Sequence, residues 1–411
     1  MKRRIPWWLR SVRLVLRFKF TRAGRVAVML LFLSALGIIT VEVPVYQIFC
    51  CLVGLLGCVE FTGMVLRPDL NVTGTLPERI TAGETAVGSV MVENRGLLPA
   101  CDIMCGLFYL PSGLKHVDAG AVLPSLRRGE RQSLPVSIRG LRRGEYALPD
   151  LHVHSTFPMN LMRFGRAVVP GSKLTVVPAF HRLEQVDIPI SRRYQPGNLL
   201  QESRAGDAPE YVGNRDYVPG EPFKRLDFRA WARVGKPVVR EYQDEYCARV
   251  ALVLDTFAPR SFPYFRSKVG PRLEAAVSLT ASIADALNET EATIDVFAAG
   301  PDLYLFQTAT GTTHFESVLE ILAAVESTRH NPFEKLTPVI AESLEETSVV
   351  ICVLVDWDDS REELTRRIID SGCALRVVLV RESPPDRPLP NDERYTQLSP
   401  RNILEGEVRV L

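Results

Sequence analysis

The first 25 residues contain no acid, and the whole chain of 411 residues contains no nucleotide-hydrolysis signature. The pattern G-x-x-x-x-G-K-[ST] is missing, so the loop of backbone amides that cradles phosphates is not expected. H-E-x-x-H and G-x-S-x-G are also missing, which argues against a zinc protease and a serine hydrolase of the common type. The eight cysteines assemble no zinc pattern: Cys101 and Cys105 stand four apart, but no second pair exists to complete a site. Histidine numbers six, and His152 and His154 share a strand face without a third ligand nearby, which reads as a sheet face. No repeat or low-complexity tract interrupts the chain. Net charge is +1, so no overall field selects a partner, and basic residues are not interleaved with aromatics along a β face. Nucleic acid is therefore not an expected partner.

What is present begins with an uneven charge. Nine Lys and Arg residues crowd positions 1–25. Two apolar runs follow, at 26–43 and 45–66, separated by Glu42 and Pro44. Each is near the length a helix needs to cross about 30 Å of hydrocarbon. The expectation is a basic arm at 1–25 and a two-helix transmembrane hairpin at 26–66. The excess of positive charge places the arm in the cytoplasm. A hairpin returns the chain to that side, so the soluble bulk is expected in the cytoplasm, tethered to the membrane. A secretory signal is the alternative, but a second apolar span follows the first and no small-residue cleavage site does.

Residues 67–180 carry short alternating runs between Gly, Pro and Asn turns, which predicts a β-sandwich-like domain. Cys101 and Cys105 fall on one face of a strand there, suited to a core. Residues 181–244 are polar and turn-rich, a connector. From 245 to 411 continuous apolar strands alternate with amphipathic helices: RVALVLD at 249–255, a helix over 271–288, a hairpin, and SVVICVLVD ending at Asp356. This predicts a doubly wound α/β domain. The fold class is thus multidomain: hairpin, β-sandwich-like domain, α/β domain.

The connector holds the densest signal, RDYVPGEPFKRLDFRAWAR at 215–233. Pro219-Gly220 suits a tight turn. Arg229 and Arg233 fall one helical turn apart. The preferred reading is an ion-pair network of Arg215, Arg233, Lys224, Glu221 and Asp227 at a domain seam, covered by Tyr217, Phe228 and Trp231. The rival is an anion pocket or enzyme site built from Arg215, Lys224, Arg225 and Arg233.

This segment resembles the signature of the domain of unknown function 58 family, R-x-Y-x-P-G-D-x-x-R-x-I-x-W-x-x-S-A-R. Arg215, Tyr217, Pro219, Gly220, Ala232 and Arg233 match. Glu221, Lys224, Leu226, Phe228 and Trp231 stand for Asp, Arg, Ile, Trp and Ser. The resemblance implies a membrane-anchored, non-enzymatic protein with a von Willebrand factor A-like C-terminal domain. It also implies partners: a MoxR-type AAA+ ATPase and other von Willebrand A-domain proteins, in a chaperone or assembly system, with membrane lipid held by the hairpin and basic arm. Such domains often bind Mg²⁺ through D-x-S-x-S, a Thr and a further Asp. Here Asp255, Thr312 and Asp356 could take those places, but Phe257 and Pro259 replace both serines. A degenerate site follows, and no cofactor is expected. Mg²⁺-dependent adhesion remains as a further alternative.

Overall fold

The computed structural model describes residues 16, 18–37, 43–186, 210–218, 226–243, 249–257, 269–289, 293–299, 303–306, 314–328, 331–344 and 347–411. The chain divides into two compact units, residues 1–179 with 319–324, and residues 180–318 with 325–411.

The first unit opens with helices α1 (Arg22–Gly37) and α2 (Val43–Val65). Within α2, Val45–Val65 runs 21 residues at mean hydropathy 2.1. At 1.5 Å per residue that is about 32 Å, enough to cross a bilayer. Among the described residues it is the one helix with that length and composition. The described α1 has 16 residues, about 24 Å, so among the described residues one of the two expected spans stands as a candidate. Residues 38–42, in the break, lie outside the described residues.

Eleven strands follow among the described residues: β1 (Leu70–Thr75), β2 (Arg79–Thr81), β3 (Thr85–Asn94), β4 (Ala100–Leu107), β5 (Leu114–His116), β6 (Val122–Leu126), β7 (Arg131–Gly140), β8 (Gly144–Ala147), β9 (Leu151–Ser155), β10 (Phe164–Val169) and β11 (Lys173–Val177). They form sheets ordered β1-β3-β7-β5, β10-β9-β4-β6 and β2-β11-β8. Period-two alternation explains the packing. Val90 and Val92 of β3 and Leu134, Val136 and Ile138 of β7 share one core with Ile103 of β4 and Leu151 and Val153 of β9. Each such side chain contributes about 1.5–3 kcal/mol by leaving water. One expectation fails here. Cys105 is buried, but Cys101 is only half-buried. Asp102 has φ 51°, which interrupts the pleat, so Ala100 takes the inward place instead.

The segment before α1 is fastened to the β9–β10 connection. Thr21 donates its backbone N–H to the Leu161 carbonyl at 3.1 Å, and its hydroxyl to the Asn160 carbonyl at 2.5 Å. Arg163 donates to the carbonyls of Phe18 and Phe20 at 3.1 and 2.7 Å. Val59 of α2 packs with Met162 and Phe164. Gly63 permits this, since a Cβ there would lie 2.1 Å from the Phe164 ring.

His154 on β9 is 6% exposed. Burial first, then the Arg163 charge, pushes its pKa from 6.5 down to about 3. The unfolded chain therefore takes up this proton before the folded one does. Stability is expected to be flat above about pH 6.5 and to fall as pH drops toward 3. Thermal midpoints of the parent and of His154→Gln, measured across that window, should diverge, with the variant less acid-sensitive. Parallel slopes would show that His154 carries no such linkage.

The second unit begins with a ribbon and a short helix: β12 (Glu210–Asp216), α3 (Phe228–Val234) and β13 (Val238–Gln243). β12 and β13 pair antiparallel, with Arg215 opposite Val239 and Asn214 opposite Arg240. The α/β part comprises β14 (Arg249–Leu254), α4 (Val269–Glu289), β15 (Thr293–Ala299), β16 (Leu303–Phe306), α5 (His314–Ala324), α6 (Phe333–Ser343), β17 (Val349–Leu354), α7 (Asp359–Asp370), β18 (Ala374–Val380), β19 (Tyr395–Leu398) and α8 (Pro400–Leu404). Among the described residues the sheet has six strands, ordered β16-β15-β14-β17-β18-β19. Of these, only the edge strand β16 runs antiparallel to its neighbour. Every residue of β17 is buried, as continuous apolar strands require when helices cover both faces. Phe333, Leu336 and Ile340 of α6 and Leu364 and Ile368 of α7 pack on one face. α4 packs against β14, β15, β17 and β18. The sequence shows no apolar run for β19 or α8, and both are added by the tertiary fold. β14 lies between β15 and β17, so strand order reverses at the carboxyl ends of β14 and β17, where an open α/β sheet has its crevice.

Candidate functional site

Two groups of charged side chains occupy the second unit, and in the first of them the partners differ from those expected. In the signature segment, Asp227 caps α3. Its Oδ1 accepts the backbone N–H groups of Arg229 and Ala230 at 3.0 and 3.1 Å. Its Oδ2 accepts from Arg240 at 3.2 Å. The Ala230 amide, with Arg240, holds the Asp227 carboxyl below its usual range. The expected pairing of Asp227 with Arg215 and Arg233 is therefore replaced by one with Arg240, which the bridge between Leu226 and Val239 and the Asp227 N–H to Val238 carbonyl bond bring near. Arg215 contacts the Asp216 carbonyl at 3.4 Å, and Asp216 pairs with Lys236 at 2.7 Å. Tyr217 donates its backbone N–H to the Pro237 carbonyl at 3.0 Å. Pro219, Gly220, Glu221 and Lys224 lie outside the described residues.

The aromatic residues also depart from the expected cover over the charges. Phe228 is 67% and Trp231 37% exposed. The two rings stack, with centroids 6.1 Å apart. Arg229 and Arg233 on the same short helix are exposed as well. The helix ends at Gly235, whose φ of 73° closes it in the left-handed region.

The second group lies at the reversal of strand order. Asp255 follows β14 and is fully buried. Its Oδ1 accepts the backbone N–H of Phe257 at 2.9 Å. Its Oδ2 accepts Val355 N–H at 3.0 Å and Arg361 Nε at 2.7 Å. Arg361, in the first turn of α7, is 1% exposed. Its Nη1 meets Asp358 at 2.5 Å, and its Nη2 donates to the Phe257 carbonyl at 3.3 Å. The guanidinium lies 5.3 Å from the Phe257 ring and 5.1 Å from that of Phe333. Burial alone would lower the Arg361 pKa, but Asp255 and then Asp358 raise it. Asp356, after β17, pairs with Arg381, which follows β18. Arg387 pairs with Asp359 and, at 2.8 Å, with Glu362.

These residues do not fit a Mg²⁺ ion. Both Asp255 oxygens are engaged by protein donors, Phe257 supplies no oxygen side chain, and a guanidinium sits against the carboxylate where a cation would be held. Thr312 lies outside the described residues. Among the described residues no group of three or more metal-ligating side chains is gathered. The buried Cys352 thiol nearby is pushed up to about 12 by burial and by Asp255, which leaves it inert as a nucleophile. Arg361 escapes sequence reading because SREELTRR looks solvent-facing. Its signal is phase: positions 361, 364, 365 and 368 share one helix face, and all four are buried.

Residues 213–394 match the family described as protein of unknown function DUF58. The uncharacterized protein YeaD of Bacillus subtilis (strain 168) is 22% identical over 234 residues, 55% of this chain and 55% of that protein. The chain thus matches about half the length of this curated relative. Among solved structures, native alpha-2-macroglobulin from Escherichia coli is 19% identical with TM-score 0.22, covering 28% of this chain and 17% of that one. The CARDB domain of PF1109 from Pyrococcus furiosus is 18% identical with TM-score 0.19, covering 27% and 95%. Both scores are too low to equate folds.

Proposed function

We propose that this chain is a membrane-anchored, non-enzymatic adaptor that docks a protein partner through α3. The observation that carries the reading is the exposed, stacked Phe228–Trp231 pair flanked by Arg229 and Arg233, inside the segment that bears the family signature. Aromatic and Arg side chains dominate binding energy at protein interfaces, and an isolated soluble surface has little reason to leave both rings in water. The neutralised charges at the strand ends support the same view. A guanidinium cannot serve as a general base, and Asp255, buried against Arg361, is not presented to a substrate. Family resemblance suggests the partner, a MoxR-type AAA+ ATPase, together with other von Willebrand A-domain proteins. The strand order of the α/β sheet suits a von Willebrand A-like fold. The apolar helix α2 and the basic arm before it support anchorage at the inner membrane, and the bond from Thr21 to the Leu161 carbonyl supports the soluble residues lying on the same side as that arm, the cytoplasmic side by its positive charge.

The test is a pull-down of the detergent-solubilised full chain with and without ATP. An AAA+ ATPase should co-purify, and Phe228→Ser with Trp231→Ser should cut its retention at least tenfold. Unchanged retention in the double variant, or turnover of a small substrate by the purified chain, would overturn the reading.

A further inference from the structure

A cavity of about 500 Å³ opens in the first unit beside the last turns of α2, within the roughly 300–1,000 Å³ typical of small-molecule sites. Its lining is two-sided. Met64 of α2, Phe108 and Phe164 give apolar walls, while Lys19, Arg67 and Arg163 bring three cations against the single acid Glu60. Arg67 is exposed at the rim. Arg163 stands over the Phe108 ring at 5.0 Å.

Two polar atoms on this lining are incomplete. Lys19 pairs with Glu60 Oε1 at 2.5 Å, but Glu60 Oε2 is buried with no hydrogen-bond partner. His154 Nδ1 is in the same condition, on a side chain 6% exposed. A buried carboxylate oxygen without a donor costs free energy until something donates to it. The ligand that completes the cavity must therefore carry an anionic group, to meet the surplus of cations. It must also carry a hydrogen-bond donor and an apolar portion.

The place of the cavity narrows the choice. Glu60 and Met64 lie one turn apart near the end of the spanning helix, where the headgroup layer of a bilayer would fall. We infer that the cavity holds the headgroup of a membrane glycerophospholipid with a hydrogen-bond donor beyond its phosphodiester, such as phosphatidylglycerol or phosphatidylethanolamine. The phosphodiester meets Lys19 and Arg67. The hydroxyl or ammonium donor reaches Glu60 Oε2, with His154 completing the polar wall. The glycerol and upper acyl carbons lie on Met64 and Phe108. The inference rests on the reading of α2 as a membrane span.

Native mass spectrometry of the delipidated full chain in detergent tests it. The probes are phosphatidylglycerol, phosphatidylethanolamine, phosphatidylcholine and phosphatidic acid with matched acyl chains, plus inorganic phosphate. The first two should be retained at least tenfold better than the others. Arg67→Gln, at an exposed position that leaves folding intact, should lower their retention about tenfold. Glu60→Gln should erase the preference over phosphatidylcholine. Equal retention of phosphatidylcholine, of inorganic phosphate, or by both variants overturns the proposal. If the chain fractionates as a soluble protein, the membrane reading fails separately. Water-soluble glycerophosphoglycerol then decides the cavity: binding weakened by Arg67→Gln upholds it, and no binding sinks it.

Discussion

Arg361→Met is expected to destabilise the α/β unit by about 3–5 kcal/mol, because it leaves Asp255 buried without its cation. Domains of this kind are stable by only about 5–15 kcal/mol, so the single change removes a large share of the margin. The reason is desolvation. Asp255 and Arg361 are both essentially inaccessible to water, and neither can recover hydration when the other is lost. Removing both charges should cost less: Asp255→Asn with Arg361→Met removes the ion pair but keeps an oxygen that can accept a Phe257 or Val355 N–H, so no unpaired charge is left buried. Urea denaturation followed by fluorescence, with the buried Trp357 as the local probe, checks both variants. A single variant within about 0.5 kcal/mol of the parent would mean that the pair does not hold this end of the sheet. A double variant as weak as the single one would mean that the guanidinium acts through Asp358 or the Phe257 carbonyl, and that Asp255 is incidental.

Gly24→Ala is expected to loosen the entry to α1 by about 1–3 kcal/mol or more, the usual scale of overpacking. A Cβ at Gly24 would lie 1.9 Å from the Leu161 carbonyl oxygen. That oxygen is backbone, and it already accepts the Thr21 N–H, so it cannot swing aside as a side chain could. Two internal controls lie in α2. At Gly54 and Gly57 a methyl group would meet nothing within 4 Å, and Ala there should be neutral or mildly stabilising, since Ala is the better helix former by up to about 1 kcal/mol. Thermal unfolding in detergent, together with proteolysis of the 157–163 loop, reads the difference. Equal midpoints for Gly24→Ala and Gly54→Ala would show that α1 is not held against this loop.

Local pattern made much of the architecture legible. The length and apolarity of α2, the alternation in β3 and β7 and the unbroken apolar β14 and β17 each reflect a period that needs no distant partner. The same holds for Asp255 and Asp356, since residues that follow buried parallel strands arrive at the sheet's carboxyl edge by chain direction alone. β19 was invisible because it pairs only with β18 and is short and half-exposed, so it shows no core-facing period.

Sequence alone determined that this protein has a basic arm, an apolar helix able to cross a bilayer, a β-rich part and an α/β part, because composition and period are properties of neighbours in the chain. Tertiary structure alone decided which charges meet. Arg240 rather than Arg215 reached Asp227, and Arg361 reached Asp255 across 106 positions, because electrostatic pairing depends on distance in space and on burial, neither of which is written in sequence separation. It also decided that Phe228 and Trp231 face solvent, since a seven-residue helix carries too little pattern to say which side will find a neighbour.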